Sequence, residues 1–144
     1  MPTTYLPDED HIARYVRSRQ LKRDDDRRIV GVFPEAYALR PEEQTLSVDW
    51  MEWHGGAKEN QLQQVVRHAE LTVRKNDAYA VTQVGAFAEA CAKYETKVRV
   101  IHEPTALNQA HSAVHRYPRD NHTLYAALAN LASQDVTGVG DIQS

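Results

Sequence analysis

The sequence predicts an α+β fold in which one sheet of mixed strands is covered by a long central helix and a C-terminal helix. Three observations predict it. Short alternating or β-branched runs fill residues 11–53. An apolar pattern at three- and four-residue steps follows Gly55 and Gly56, and shorter strand-like and helix-like stretches share the remainder. The 144 residues, 42% hydrophobic and 26% charged, suit one core rather than a disordered or collagen-like chain. The expected unit is a single globular domain over residues 1–134 with a flexible tail over 135–144.

Residues 11–17 alternate imperfectly and read as a strand. A helix over residues 7–19 competes, with Asp8 as cap and Ile12, Tyr15, Val16 and Arg19 as its stripe. Residues 29–33 are a β-branched run, and residues 37–40 lead into a turn at Pro41, Glu42 and Glu43. Residues 46–50 follow as a strand. Period-2 alternation places Leu46, Val48 and Trp50 on its buried face and Ser47 and Asp49 on its polar one. After Gly55 and Gly56, residues 57–74 read as the clearest helix, on Leu62, Val65, Val66, Ala69 and Val73; His68 falls at the stripe's edge.

Residues 78–84 then read as a strand, and Phe87, Ala90, Cys91 and Tyr94 as a short helical stripe. Residues 97–102 form a second strand with Val98, Val100 and His102 on one face. Strand, helix and strand fit a βαβ unit, although so short a connection weakens the case for parallel pairing. Residues 111–116 read as a further strand, and Asp120 as the cap of a helix on Leu124, Leu128 and Leu131, supported by Ala127.

The net charge of −3 gives no general attraction to nucleic acid or anionic lipid. Seven cations lie between Arg14 and Arg28, but Asp24, Asp25 and Asp26 interrupt them, so the stretch reads first as a solvated, self-compensating loop. The lone Cys91 excludes an intramolecular disulfide and a cysteine-rich zinc site. Apolar runs of a few residues fall far short of the roughly 20 that span a bilayer. Pro2, Pro7, Asp8, Glu9 and Asp10 do not compose a secretory leader. The expectation is a cytoplasmic protein without membrane association.

Seven histidines make imidazole the enriched reactive group. His102, Glu103, Asn108, His111 and His115 cluster where a strand leaves the sheet, a place where loops gather polar groups. A general acid/base or ligand pair of His102 with His111, joined by His11 and Asn108, is one reading; structural hydrogen bonding of both imidazoles is the other. In the first, Arg14 or Arg40 holds an anionic substrate by bidentate contact. On a strand, His111 and His115 stand about 13 Å apart, too far for one zinc ion, so no metal is expected. Ser47 lacks a Gly-x-Ser-x-Gly turn, the phosphate-cradling glycine loops are missing, and no cofactor is implied. Trp50 reads as core, and Trp53 with Tyr37 as a contact surface.

The phrases HIARYVRS, PEAYALRPEEQTLSVDWMEW, QVGAFAEACAKYETKVRVIHEP and NQAHSAVHRYPRDN resemble a group of small bacterial hypothetical proteins of unknown function. The resemblance runs over roughly residues 10–132. It implies a bacterial, cytosolic origin and assigns no role to any residue.

With no catalytic motif present, the leading expectation is a non-catalytic accessory or protein-interaction module whose partner is another protein; nucleic acid is disfavoured. The alternative is an enzyme or small-ligand-binding protein with a histidine-lined polar pocket for an anionic substrate. That alternative requires His11, His102 and His111 to converge.

Overall fold

The fold is taken from a computed structural model, which describes residues 2–142. Eight strands and three α-helices follow one another along the described residues. They are β1 (His11–Val16), β2 (Leu21–Arg23), β3 (Ile29–Val32), β4 (Leu46–Trp50), α1 (Lys58–Arg67), β5 (Ala78–Gln83), α2 (Val84–Ala92), β6 (Arg99–His102), β7 (His111–His115), α3 (His122–Ala132) and β8 (Val136–Gly138). Six strands form one sheet in the order β6-β7-β4-β1-β5-β8, and β2 with β3 forms a separate hairpin. Every pairing is antiparallel.

Alternation along these strands divides the apolar residues between two faces. Ile12, Val16, Leu46, Val48, Ala78, Ala80, Val100 and Val114 share one core with Phe87 and Cys91 of α2 and Leu124 and Leu128 of α3. Ala13, Tyr15, Tyr79 and Val81 build a smaller core on the other face with Met51 and with Leu62 and Val65 of α1. Both faces are therefore covered, which is why β1 and β5 carry almost unbroken buried runs rather than a clean alternation.

The α+β class is as expected, but the mixed sheet and the long central helix are corrected. β5 and β6, the expected βαβ pair, lie far apart in the sheet, with β7, β4 and β1 between them. The two strands run in the same direction but are not neighbours, because β6 takes the outer edge and residues 103–110 fold β7 directly back on it. The central helix stops at Arg67. Val73 still reaches the smaller core, but from a non-helical segment that Tyr15 holds by accepting the Arg74 N–H at 3.2 Å. Ahead of this helix, Gly55 and Gly56 take φ of +68° and +74°, a left-handed conformation that favours glycine.

Two terminal expectations also change. The cap of α3 is Asn121, which accepts the Leu124 N–H at 3.1 Å, rather than Asp120. The tail expected from residue 135 contributes β8, paired with β5 from Ala78↔Gly138 to Ala80↔Val136; its last two residues lie outside the described ones. No helix of the described residues is long and apolar enough to cross a membrane.

Candidate functional site

On the α1 side of the sheet lies a cavity of about 250 Å³. Its floor is the centre of the sheet, with Ala13 of β1, Asp49 of β4, Tyr79 of β5 and His111 of β7. Its walls are Arg40 and two loop segments, residues 69–71 after α1 and Thr105 with Asn108 between β6 and β7.

Asp49 and His111 face each other across the β4–β7 ladder. Cross-strand partners project to the same side of a sheet, so this register alone brings carboxyl and imidazole together. Asn108 donates from Nδ2 to Asp49 Oδ1 at 2.7 Å, while its own Oδ1 accepts the Ala110 N–H at 3.2 Å, which fixes the amide orientation. Burial pushes the Asp49 carboxyl above its usual range, and Glu70 adds to this. The Asn108 hydrogen bond and the His111 charge oppose it without cancelling it.

His111 Nδ1 lies 2.8 Å from the Glu103 carbonyl oxygen. A carbonyl only accepts, so Nδ1 carries the proton and the neutral ring keeps Nε2 as its basic nitrogen. Glu103 thus orients this imidazole through its backbone, while its carboxylate pairs with His115 Nε2. Thr105 Oγ1 accepts from the Asn108 N–H at 3.0 Å and donates to Glu70, tying the two loop walls together.

The two arginines differ. Arg14 is buried where β1 and β4 part after Ala13↔Asp49; its Nε donates to Ala36 O and its Nη1 to Ser47 O, both at 2.9 Å. Its Nη1 also pairs with Glu43 at 3.3 Å. Burial pushes the Glu43 carboxyl up, but the Arg14 charge and hydrogen bonds from Arg40 N, Arg14 and Ser47 N outweigh it and hold the group below its ordinary value. Arg14 borders the cavity, yet this bonding makes it a fixed strut of the wall. The guanidinium of Arg40, half-buried at the same cavity, makes no hydrogen bond or ion pair among the described residues. Burial and the Arg14 charge lower its pKa, partly offset by Glu43.

The three imidazoles expected to meet do not. His102 is paired with Ser112, the neighbour of His111, and alternation therefore sends it to the opposite face. There its ring packs against Trp53 at 4.8 Å and Trp50 at 5.1 Å, and Nε2 donates to Gln109 O at 2.7 Å. His11 Nδ1 is 2.6 Å from Glu52, whose other oxygen accepts the His11 N–H at 2.7 Å, and it does not line the cavity. Of the expected site, His111, Asn108, Arg40 and Arg14 line the cavity; His102 and His11 lie outside it.

Of the two expected contact residues, Trp53 is 47% exposed and Tyr37 is buried, so the latter cannot present a docking surface. Sequence reasoning missed Asp49. Its place on the polar face of β4 was legible, but its pairing with a residue 62 positions on was not. Among the described residues no group of three or more His, Cys, Asp or Glu side chains is placed to hold a metal ion. No protein-family model, curated protein or solved structure matches the chain.

Proposed function

We propose that this cavity binds a small organic acid, with the Arg40 guanidinium on its carboxylate and the Asp49–His111 pair at its other polar end. The observation that supports this is the convergence on one cavity of an unpaired, half-buried guanidinium with a carboxyl and an imidazole that are cross-strand neighbours, the first held by Asn108 and the second by the Glu103 carbonyl. A buried guanidinium without an anion is electrostatically uncomfortable, and a bidentate carboxylate relieves it. The carboxyl with a raised pKa and the imidazole with an available Nε2 can each exchange a proton with a bound hydroxyl or amine. This suits proton transfer on a bound metabolite as well as plain binding.

The test is ligand-observed NMR with a panel of small mono- and dicarboxylic acids against the wild type, Arg40→Ala and His111→Ala. At least one acid should bind the wild type, and each substitution should weaken it about tenfold or more at an unchanged Tm. Retention of every interaction by both variants, or a panel without a single binder, would overturn the proposal.

A second reading, docking of a protein partner, rests on Trp53, exposed beside His102 and Trp50 (centroids 4.8 and 6.0 Å). Such an aromatic cluster suits an interface anchor. Trp53→Ala should abolish pull-down of a specific partner while leaving acid binding intact; a partner retained by the variant speaks against this reading.

A further inference from the structure

The arginine-rich stretch that reads as a self-compensating loop folds so that its arginines line a space its aspartates do not. It forms the β2–β3 hairpin, and its tip stands beside the segment leading into β5 and the chain after β8. Between them lies a concavity of about 500 Å³ lined by Arg23, Arg27, Arg28 and Lys75. A neighbouring concavity of about 430 Å³ shares Arg23, Arg27 and Asn76 with it and adds Ser18.

None of Asp24, Asp25 and Asp26 lines either space. Asp24 Oδ1 accepts the N–H groups of Asp26 and Arg28, both at 2.9 Å, so this carboxylate is folded into its own turn. Asp26 reaches Arg28 only at 3.9 Å, with both side chains about three-quarters exposed, a contact of little weight in water. The carboxylates that do line the larger space are Asp77 and Asp141. Asp77 is buried and saturated, taking the Ser18 N–H at 2.7 Å on one oxygen and the Tyr15 hydroxyl on the other. Its hydrogen bonds come from uncharged donors and leave its charge in place, so Asp77 and Asp141 together oppose four cations and the lining keeps an excess of positive charge.

The walls are braced. The Arg23 guanidinium donates to Arg27 O from Nη1 and to Asn76 O from Nη2, both at 2.9 Å, and so links the hairpin tip to the segment before β5. Gly140 N–H donates to Lys75 O at 3.1 Å, and the Lys75 side chain lies over Gly140 so closely that an added Cβ would meet Lys75 Cγ at 3.2 Å. Arg27 holds φ of +63°, uncommon outside glycine, with its N–H on Asp24 O and its carbonyl on Arg23. The bracing uses Arg23 and the backbone, and leaves the heads of Arg27, Arg28 and Lys75 for a ligand.

We infer that this groove is a binding site for a multiply charged phosphate compound, a condensed phosphate chain or the polyphosphate end of a nucleotide. One guanidinium, as in the Asp49–His111 cavity, suits a single carboxylate; four cations in one concavity suit several phosphate charges. A space of this size also admits a mononucleotide, within the roughly 300–1,000 Å³ usual for small-molecule sites. The protein as a whole, at a net charge of −3, offers no general attraction to such a ligand, so the attraction is local.

Isothermal titration with sodium tripolyphosphate and with ATP, at low and moderate salt, tests this on the full chain. The expected result is saturable one-to-one binding that weakens with salt. The double variant Arg27→Ala/Arg28→Ala, which removes exposed side chains and should keep the wild-type Tm, is expected to weaken it at least about tenfold. Asp141→Asn should tighten binding, a direction that general loss of structure does not produce. Arg40→Ala, which serves the other cavity, should leave it unchanged. Binding that survives the double variant, Asp141→Asn without any tightening, or no saturable binding at low salt each overturns the inference. A single-stranded oligonucleotide that binds more tightly than either phosphate probe also overturns it, in favour of a nucleic-acid surface.

Discussion

Asp49 is held in a place that disfavours its charge. Its carboxyl titrates above the usual range because burial outweighs the help of Asn108 and His111. A carboxyl whose folded pKa exceeds its unfolded one binds its proton more tightly in the native state. It therefore detracts least from stability below its unfolded value of about 3.8, and stability is lost as pH rises through the folded pKa. Asn at this position keeps an acceptor for Asn108 and removes the charge. Asp49→Asn should therefore raise unfolding stability at pH 7 by about 1 kcal/mol, with the gain shrinking toward pH 4. Urea denaturation at both pH values measures it; an equal gain at both would show that Asp49 is not strained by its charge. A residue that costs stability where Asn would not is one whose carboxyl has another use.

At the scale of elements, α3 shows how far periodicity carries. Leu124 and Leu128 are fully buried in the main core, as their spacing predicts, but Leu131 is only half-buried and Ala132 takes the inward place. Leu128→Ala should cost about 2–5 kcal/mol, and Leu131→Ala markedly less, in chemical denaturation. Equal losses would mean that the helix is rotated relative to the sheet. The strands were legible for the same reason: alternation in β4 marks Leu46 and Val48 as buried, and both are. The length of α1 was not, because its apolar rhythm continues to Val73 while the backbone leaves the helix after Arg67. Periodicity records which residues reach a core; it does not record whether they do so from a helix or from a loop.

For the whole molecule, the edges of the sheet matter most. Beside β6, the segment through Thr4 to Leu6 covers the outer edge, with Thr4 O accepting the His102 N–H at 2.9 Å and Leu6 N–H donating to Val100 O at 3.1 Å. Beside β5, β8 does the same, and Asp135 adds its carbonyl to the Val81 N–H at 2.9 Å and its carboxylate to Lys58 at 2.5 Å. An uncovered strand invites pairing with another chain. A chain ending at residue 134 should lose about 2–4 kcal/mol, at roughly 1 kcal/mol net for each of a few backbone hydrogen bonds, and should self-associate. Thermal unfolding and sedimentation velocity test this; a monomer with the wild-type Tm would restore the flexible-tail reading.

Taken alone, the sequence determined the α+β class, the strand at residues 46–50, the polar face that carries Asp49 and the polar character of the segment around His111. Those properties are local, set by alternation, turn residues and side-chain type. Only the tertiary structure decided that every strand pairs antiparallel, that Asp49 stands opposite His111 while His102 turns away, and that four cations line one concavity that Asp24, Asp25 and Asp26 do not. Register and chain reversal set these, and a shift of one residue would move each side chain to the other face.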